Sequence, residues 1–171
     1  MKNAMEFPVR KETRLKNYDY SLPGAYFVTI CTENRRCIFW TDVGETCGLP
    51  NETHFSRYGS AVKRNIDKLN NTYENVFVIK YVIMPNHVHM LIEIKTDSSG
   101  RPQTAPTLSR IVNQFKGAVT KDAGKAFWQK GFYDHVIRSQ NDYNEIIRYI
   151  ETNPERWLQD KLYDKNQFYS E

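Results

Sequence analysis

The chain is 171 residues long and carries a formal net charge of +4, with 40% hydrophobic, 26% charged and 13% aromatic residues. That length suits one well-packed domain and would cramp two. The composition is that of a soluble globular protein, and so small a net charge does not by itself announce a nucleic-acid binder. Cys31, Cys37 and Cys47 are odd in number and lack Cys-x-x-Cys spacing, which supports neither a disulfide framework nor a zinc ribbon. The first six residues hold no apolar core of signal-peptide length, and no apolar run is long enough to span a bilayer. The cytoplasm is therefore the default, with no membrane partner.

Taken in order, residues 1–22 are polar and basic and read as an arm, closed by the turn at Pro23-Gly24. Residues 25–32, β-branched and aromatic, form a first strand. Arg35-Arg36 break it, residues 37–40 add a short piece, and the Gly- and Pro-containing stretch 41–53 is a loop. Residues 55–69 place Ala61, Val62, Ile66 and Leu69 at helical spacing, with Asn70-Asn71 ending the helix. Two strand-like runs, 76–84 and 87–94, flank a tight turn at Pro85-Asn86. Residues 96–106 are a Ser/Gly/Pro-rich loop.

A second helix carries Leu108, Ile111, Val112, Phe115 and Val119, starts near Pro106 or Thr107, and closes at Gly124. An aromatic connector from Phe127 leads to a short strand over 133–138. Asn141-Asp142 cap a third helix with Ile146, Ile147 and Ile150 on its buried side, and Asn153 before Pro154 marks its end. Pro154 opens a further turn over residues 155–162.

The order strand, helix, strand, strand, helix, strand matches a split β-α-β, ferredoxin-like or RRM-like α+β fold. It predicts an antiparallel sheet with helices on one face and an additional C-terminal helix. The whole of 1–171 is expected to be one domain, with 155–171 a C-terminal extension. Fold alone does not choose a function.

Two features offer chemistry. In the second paired strand, His87 and His89 flank Val88 and share one face, roughly 6–7 Å apart along the strand. Two imidazoles so placed converge on a metal ion or a phosphate, or simply line a wet face. In the third helix, Tyr149 and Asn153 are four apart and stand on one side, about 6 Å between Cβ atoms. Between Arg101 and Arg138, seven basic residues face two acids, enough to carry the net charge of the chain. Such a band next to a phosphate-handling site raises affinity and steers association.

Met84-Pro85-Asn86-His87-Val88-His89-Met90-Leu91-Ile92 resembles the His-hydrophobic-His (HUH) signature of single-tyrosine transposases. Residues 127–138 (Phe-Trp-Gln-Lys-Gly-Phe-Tyr-Asp-His-Val-Ile-Arg), followed by Tyr149-Ile150-x-x-Asn153-Pro154, are similar to the REP-associated tyrosine transposase branch. The three blocks keep their order over roughly residues 26–154, and together they are specific where HUH alone is weak.

The resemblance implies that Tyr149 is the nucleophile, attacking single-stranded, hairpin-forming DNA to give a 5′-phosphotyrosine and a free 3′-hydroxyl. It implies that His87, His89 and Asn153 hold Mg²⁺ or Mn²⁺, although imidazoles also suit nickel or zinc. Lys116, Lys130 and Arg138 are the expected phosphate contacts, and Trp128, with Phe132 or Tyr133, the expected base-stacking residue. The protein would work as a monomer or a homodimer. After Pro154 the chain departs from that branch, and the 41–53 insertion is its own.

Two other functions remain open at this point. A domesticated single-stranded-DNA-binding module would bind without cleaving. A water-using phosphodiesterase would cleave without a covalent intermediate.

Overall fold

A computed structural model describes residues 18–20, 22–41, 55–96 and 106–163. Most of the expected arm, nearly all of the two long loops and the end of the extension lie outside these residues. Within them the strands are β1 (Gly24–Cys31), β2 (Val76–Ile83), β3 (His87–Ile94) and β4 (Tyr133–Ile137). The helices are α1 (Arg57–Thr72), α2 (Leu108–Ala123) and α3 (Gln140–Thr152). Short 3₁₀ turns follow β1 (Glu33–Arg35) and α3 (Pro154–Gln159).

The sheet runs β2-β3-β1-β4 with every neighbouring pair antiparallel. Side chains alternate across it, and the two faces have different covers. Val28 and Ile30 of β1 and Val88, Met90 and Ile92 of β3 point to the larger core, which α1 and α2 complete. The opposite face puts Phe27 and Leu91 against Ile150 of α3, with Ile146 and Ile147 packed at the edge. This is the α+β arrangement expected, with α3 as the additional helix alone on its own side. An ion pair from Lys80 of β2 to Glu151 (2.7 Å) and a hydrogen bond from Tyr143 to Glu93 (2.8 Å) fasten α3 across the sheet.

The helix ends follow local chemistry. Ser56 accepts from the N–H groups of Tyr58 and Gly59, Thr107 from Arg110, and Gly124 takes the left-handed conformation (φ 71°) after α2. One expectation is corrected here. The cap of α3 is Ser139, which accepts from the Asp142 N–H, rather than Asn141-Asp142; Asp142 sits in the first turn and pairs with His135 at 2.9 Å. Asn153 marks the end of α3 as expected, with helical dihedrals of its own (φ −59°, ψ −44°), because Pro154 starts the next 3₁₀ turn, a first-turn place where its missing N–H costs nothing.

Gly59 shows how closely α1 is seated: a Cβ there would stand 2.2 Å from the Phe39 carbonyl oxygen. Gly59→Ala gains about 1 kcal/mol of helix propensity, but a backbone atom must move to admit it, and overpacking of this kind costs about 1–3 kcal/mol. The expected net result is a melting temperature lower by a few degrees in a thermal scan.

Candidate active site

Both faces of β3 are covered, so the histidine face is not wet: His87 is 0% and His89 3% exposed. A buried polar ring must find hydrogen bonds, and the chain supplies them. Thr29, directly opposite His89 on β1, puts its Oγ1 2.8 Å from His89 Nδ1. Asn86 puts its Oδ1 2.7 Å from His87 Nδ1. The two Nε2 atoms stand 2.9 Å apart.

The network assigns the protons. Asn86 donates through Nδ2 to the Arg35 and Leu162 carbonyls, so its Oδ1 is an acceptor and His87 carries its proton on Nδ1. His87 Nε2 is then a lone pair, which receives the Nε2–H of His89 while the Thr29 hydroxyl donates to Nδ1. Burial is the main reason both rings are neutral. It pushes His89 down to about 3 and His87 well below its ordinary value, His87 being lowered further by His89 and Arg35.

α3 carries Tyr149 to this pair. Its hydroxyl lies 3.4 Å from His89 Nε2, and its ring meets Phe27 and His89 edge-on, with centroids 5.9 and 5.3 Å away. Burial raises the phenol pKa, the nearby Asp160 raises it further, and a hydrogen bond from the Asn153 side chain opposes them. The residue is nonetheless 43% exposed, so the hydroxyl borders solvent. Asn153 is buried, and its Oδ1 has no hydrogen-bond partner.

The 3₁₀ turn after α3 closes the other side. Trp157 is buried with its ring 6.1 Å from that of His87, and Tyr163 stacks edge-on against it. Asp160 brings a carboxylate so close that its oxygen and one nitrogen from each histidine all lie within 4.8 Å of one another. Asp160, Thr29 and Asn86 are the site residues that the sequence did not offer. Asp160 follows Asn153 by seven residues in no recognisable motif. Thr29 is visible only once the register across β1 and β3 is known.

The donor set fits a divalent ion. Two neutral imidazoles and a carboxylate lie together, Asn153 beside Tyr149 adds an orphaned buried amide oxygen, and the oxygens suit hard ions as the imidazoles suit softer ones. For His89 to offer Nε2 its proton must shift to Nδ1, with the Thr29 hydroxyl turning from donor to acceptor. Outer-shell partners of this kind are worth about 10–100-fold in metal affinity. Thr29→Val, which keeps the shape and removes the hydroxyl, should weaken Mn²⁺ binding by about tenfold in calorimetry while leaving the thermal transition cooperative.

The four expected DNA contacts are not gathered at this site. Lys116 lies on α2, across the sheet from the histidines, and its ammonium donates to the Gln129 and Gly131 carbonyls at 2.7 and 3.1 Å. The Trp128 ring packs among Phe39, Phe115 and Phe127, at 5.5, 6.1 and 4.9 Å. Lys130 and Arg138 are exposed on either side of β4. Phe132 is packed against the larger core, and Tyr133 is 51% exposed on the histidine side of the sheet.

A solved REP-associated tyrosine transposase, bound to a REP hairpin, has this fold, with TM-score 0.62 and 22% identity over 89% of this chain and 77% of that one. The chain belongs to the IS200-like transposase family, whose model matches residues 24–153. It is thus a DNA-binding, DNA-cleaving protein of the transposase type. Two proteins of Haemophilus influenzae are similar to it along most of their length. One, of uncharacterised function, is 35% identical over 173 residues, covering 90% of this chain and 93% of that protein. The other, a candidate REP-associated tyrosine transposase, is 25% identical over 150 residues, covering 82% and 76%. Among the described residues no helix is long and apolar enough to cross a membrane.

Proposed function

We propose that the protein cuts and rejoins single-stranded, hairpin-forming DNA in the cytoplasm through a covalent 5′-phosphotyrosine at Tyr149. The observation that carries this is the Tyr149 hydroxyl 3.4 Å from His89 Nε2, itself 2.9 Å from His87 Nε2. His87, His89 and Asn153 would hold the metal, Mg²⁺ or Mn²⁺, with Asp160 as a further oxygen donor. Once bound, the ion would supply polarisation of the scissile phosphate.

The chemistry of the chain's own residues follows. Tyr149 Oη attacks the phosphorus, the bond from phosphorus to the 3′ oxygen breaks, and the phenol proton leaves toward solvent. The departing oxygen takes up a proton and becomes a free 3′-hydroxyl. Attack by a 3′-hydroxyl on the phosphotyrosine reverses these bonds and restores the phenol, so rejoining needs no ATP. Phe27 and Ile150 fix the helix that aims Tyr149, and Asn153 stabilises the developing phenolate. Phenol and imidazoles come from one chain, so a single protomer suffices.

For DNA, Lys130 and Arg138 are the phosphate contacts. Lys116 and Trp128 serve them indirectly: Lys116 grips the carbonyls on both sides of Lys130, and Trp128 packs the same connector onto the core. Tyr133 offers an exposed ring for stacking.

Labelled hairpin DNA with a single-stranded flank, incubated with the protein and Mn²⁺, should give an adduct that survives denaturation. Cleavage without an adduct would mean that water is the nucleophile. Binding without cleavage would mean a DNA-binding module.

A further inference from the structure

On the other side of the β1 exit from His87 lies a cavity of about 140 Å³ between the Glu33–Arg35 turn, the start of α1 and the segment after α2. Ile38, Ala126 and Phe127 make its apolar wall, and Arg36, Lys125, Tyr58 and Glu33 its polar rim. Arg57 stands over the Tyr58 ring and donates to its hydroxyl at 2.6 Å. The phenol is held below its ordinary pKa, first by that hydrogen bond and also by the nearby charges of Arg57, Lys125 and Arg36. Neither Arg36 nor Lys125 is in a salt bridge among the described residues, and Glu33 is the one acid on the rim.

We infer that this cavity binds one phosphate-bearing nucleotide of the DNA strand, with Arg36, Lys125 and the Tyr58 hydroxyl on the phosphate and the Ile38–Phe127 wall against sugar or base. At about 140 Å³ the space is smaller than the roughly 300–1,000 Å³ that encloses a drug-sized molecule or cofactor. It suits a phosphate and the part of the sugar or base next to it, with the rest of the ligand outside.

Its place decides between kinds of polymer. The rim residue Thr32 directly follows Cys31, which pairs with His87, and its N–H and hydroxyl both bond the Asn86 carbonyl at 2.9 and 3.0 Å. Asn34 and Arg35 adopt positive φ (54° and 56°), a strained conformation for residues with a side chain that the fold sustains here. The Arg35 carbonyl is in turn held by Asn86, the residue that orients His87. The cavity rim is thus bonded to the residue that orients His87, which ties it to the catalytic face, and the inference rests on the proposed DNA chemistry.

The test uses the full chain, a fluorescent hairpin with a single-stranded flank, no divalent metal, and a salt titration. Arg36→Gln/Lys125→Gln should bind about tenfold more weakly near 100 mM salt, with the slope of log affinity against log salt reduced by about one. Ala126→Leu, which fills the cavity without changing charge, should also bind several-fold more weakly. Lys63→Gln, on α1 but not lining the cavity, should bind as the wild type. Unchanged affinity and slope in the double variant, or an equal loss in Lys63→Gln, would overturn the assignment. Binding here needs neither metal nor cleavage. A wild type that binds but forms no adduct with Mn²⁺ therefore contradicts the phosphotyrosine chemistry and leaves the cavity standing.

Discussion

Tyr149→Phe should reduce the covalent DNA adduct to background, a loss of at least roughly 10³-fold, with DNA affinity nearly unchanged. The substitution removes one oxygen. The ring keeps its edge-on contacts with Phe27 and His89, so α3 stays in place. Among the described residues no second phenol meets His87 or His89. The Tyr143 hydroxyl is committed to Glu93, and its pKa is pushed up to about 12 by burial and that bond. Tyr133 is exposed on the edge strand β4 and, among the described residues, makes no hydrogen bond or ring contact with either histidine. An adduct of normal yield in Tyr149→Phe, read on a denaturing gel, would remove Tyr149 from the mechanism.

His87→Gln should lower Mn²⁺ affinity by more than about 100-fold, since outer-shell losses alone reach that figure, and adduct yield should fall with metal occupancy. His87 Nε2 is the lone pair already presented to the site, and burial keeps it unprotonated at neutral pH. Quenching of Trp157, whose ring is 6.1 Å from that of His87, would report binding independently of any cleavage. Full Mn²⁺ affinity in the variant would show that the ion is held elsewhere.

The sequence carried the architecture because hydrophobic period and turn chemistry are local. Ala61, Val62 and Ile66 announced α1, and Gly124 announced the end of α2. The pairing of His89 with Tyr149 was legible only through motif resemblance, since nothing local says that a helix sixty residues downstream crosses the same strand. The covers were harder still. Alternation along residues 87–94 leaves a wet face and a buried one equally available, and α3 together with Trp157 makes both buried. Asp160 enters the site only because Pro154 continues the chain as a 3₁₀ turn instead of releasing it. Lys116 and Trp128 show the limit of counting charges and rings: an ammonium can hold backbone carbonyls and an indole can pack, and composition does not distinguish those uses from DNA contact.

The central claim is that β3 presents the metal site and α3 the nucleophile. Protease digestion of the Mn²⁺-dependent adduct, with mass measurement of the DNA-linked peptide, tests it most directly. The expected result is a nucleotide remnant on the peptide containing Tyr149, joined through a 5′ phosphate. A remnant on Tyr143 or Tyr133, or cleaved DNA bearing a free 5′ phosphate and no protein, would contradict it.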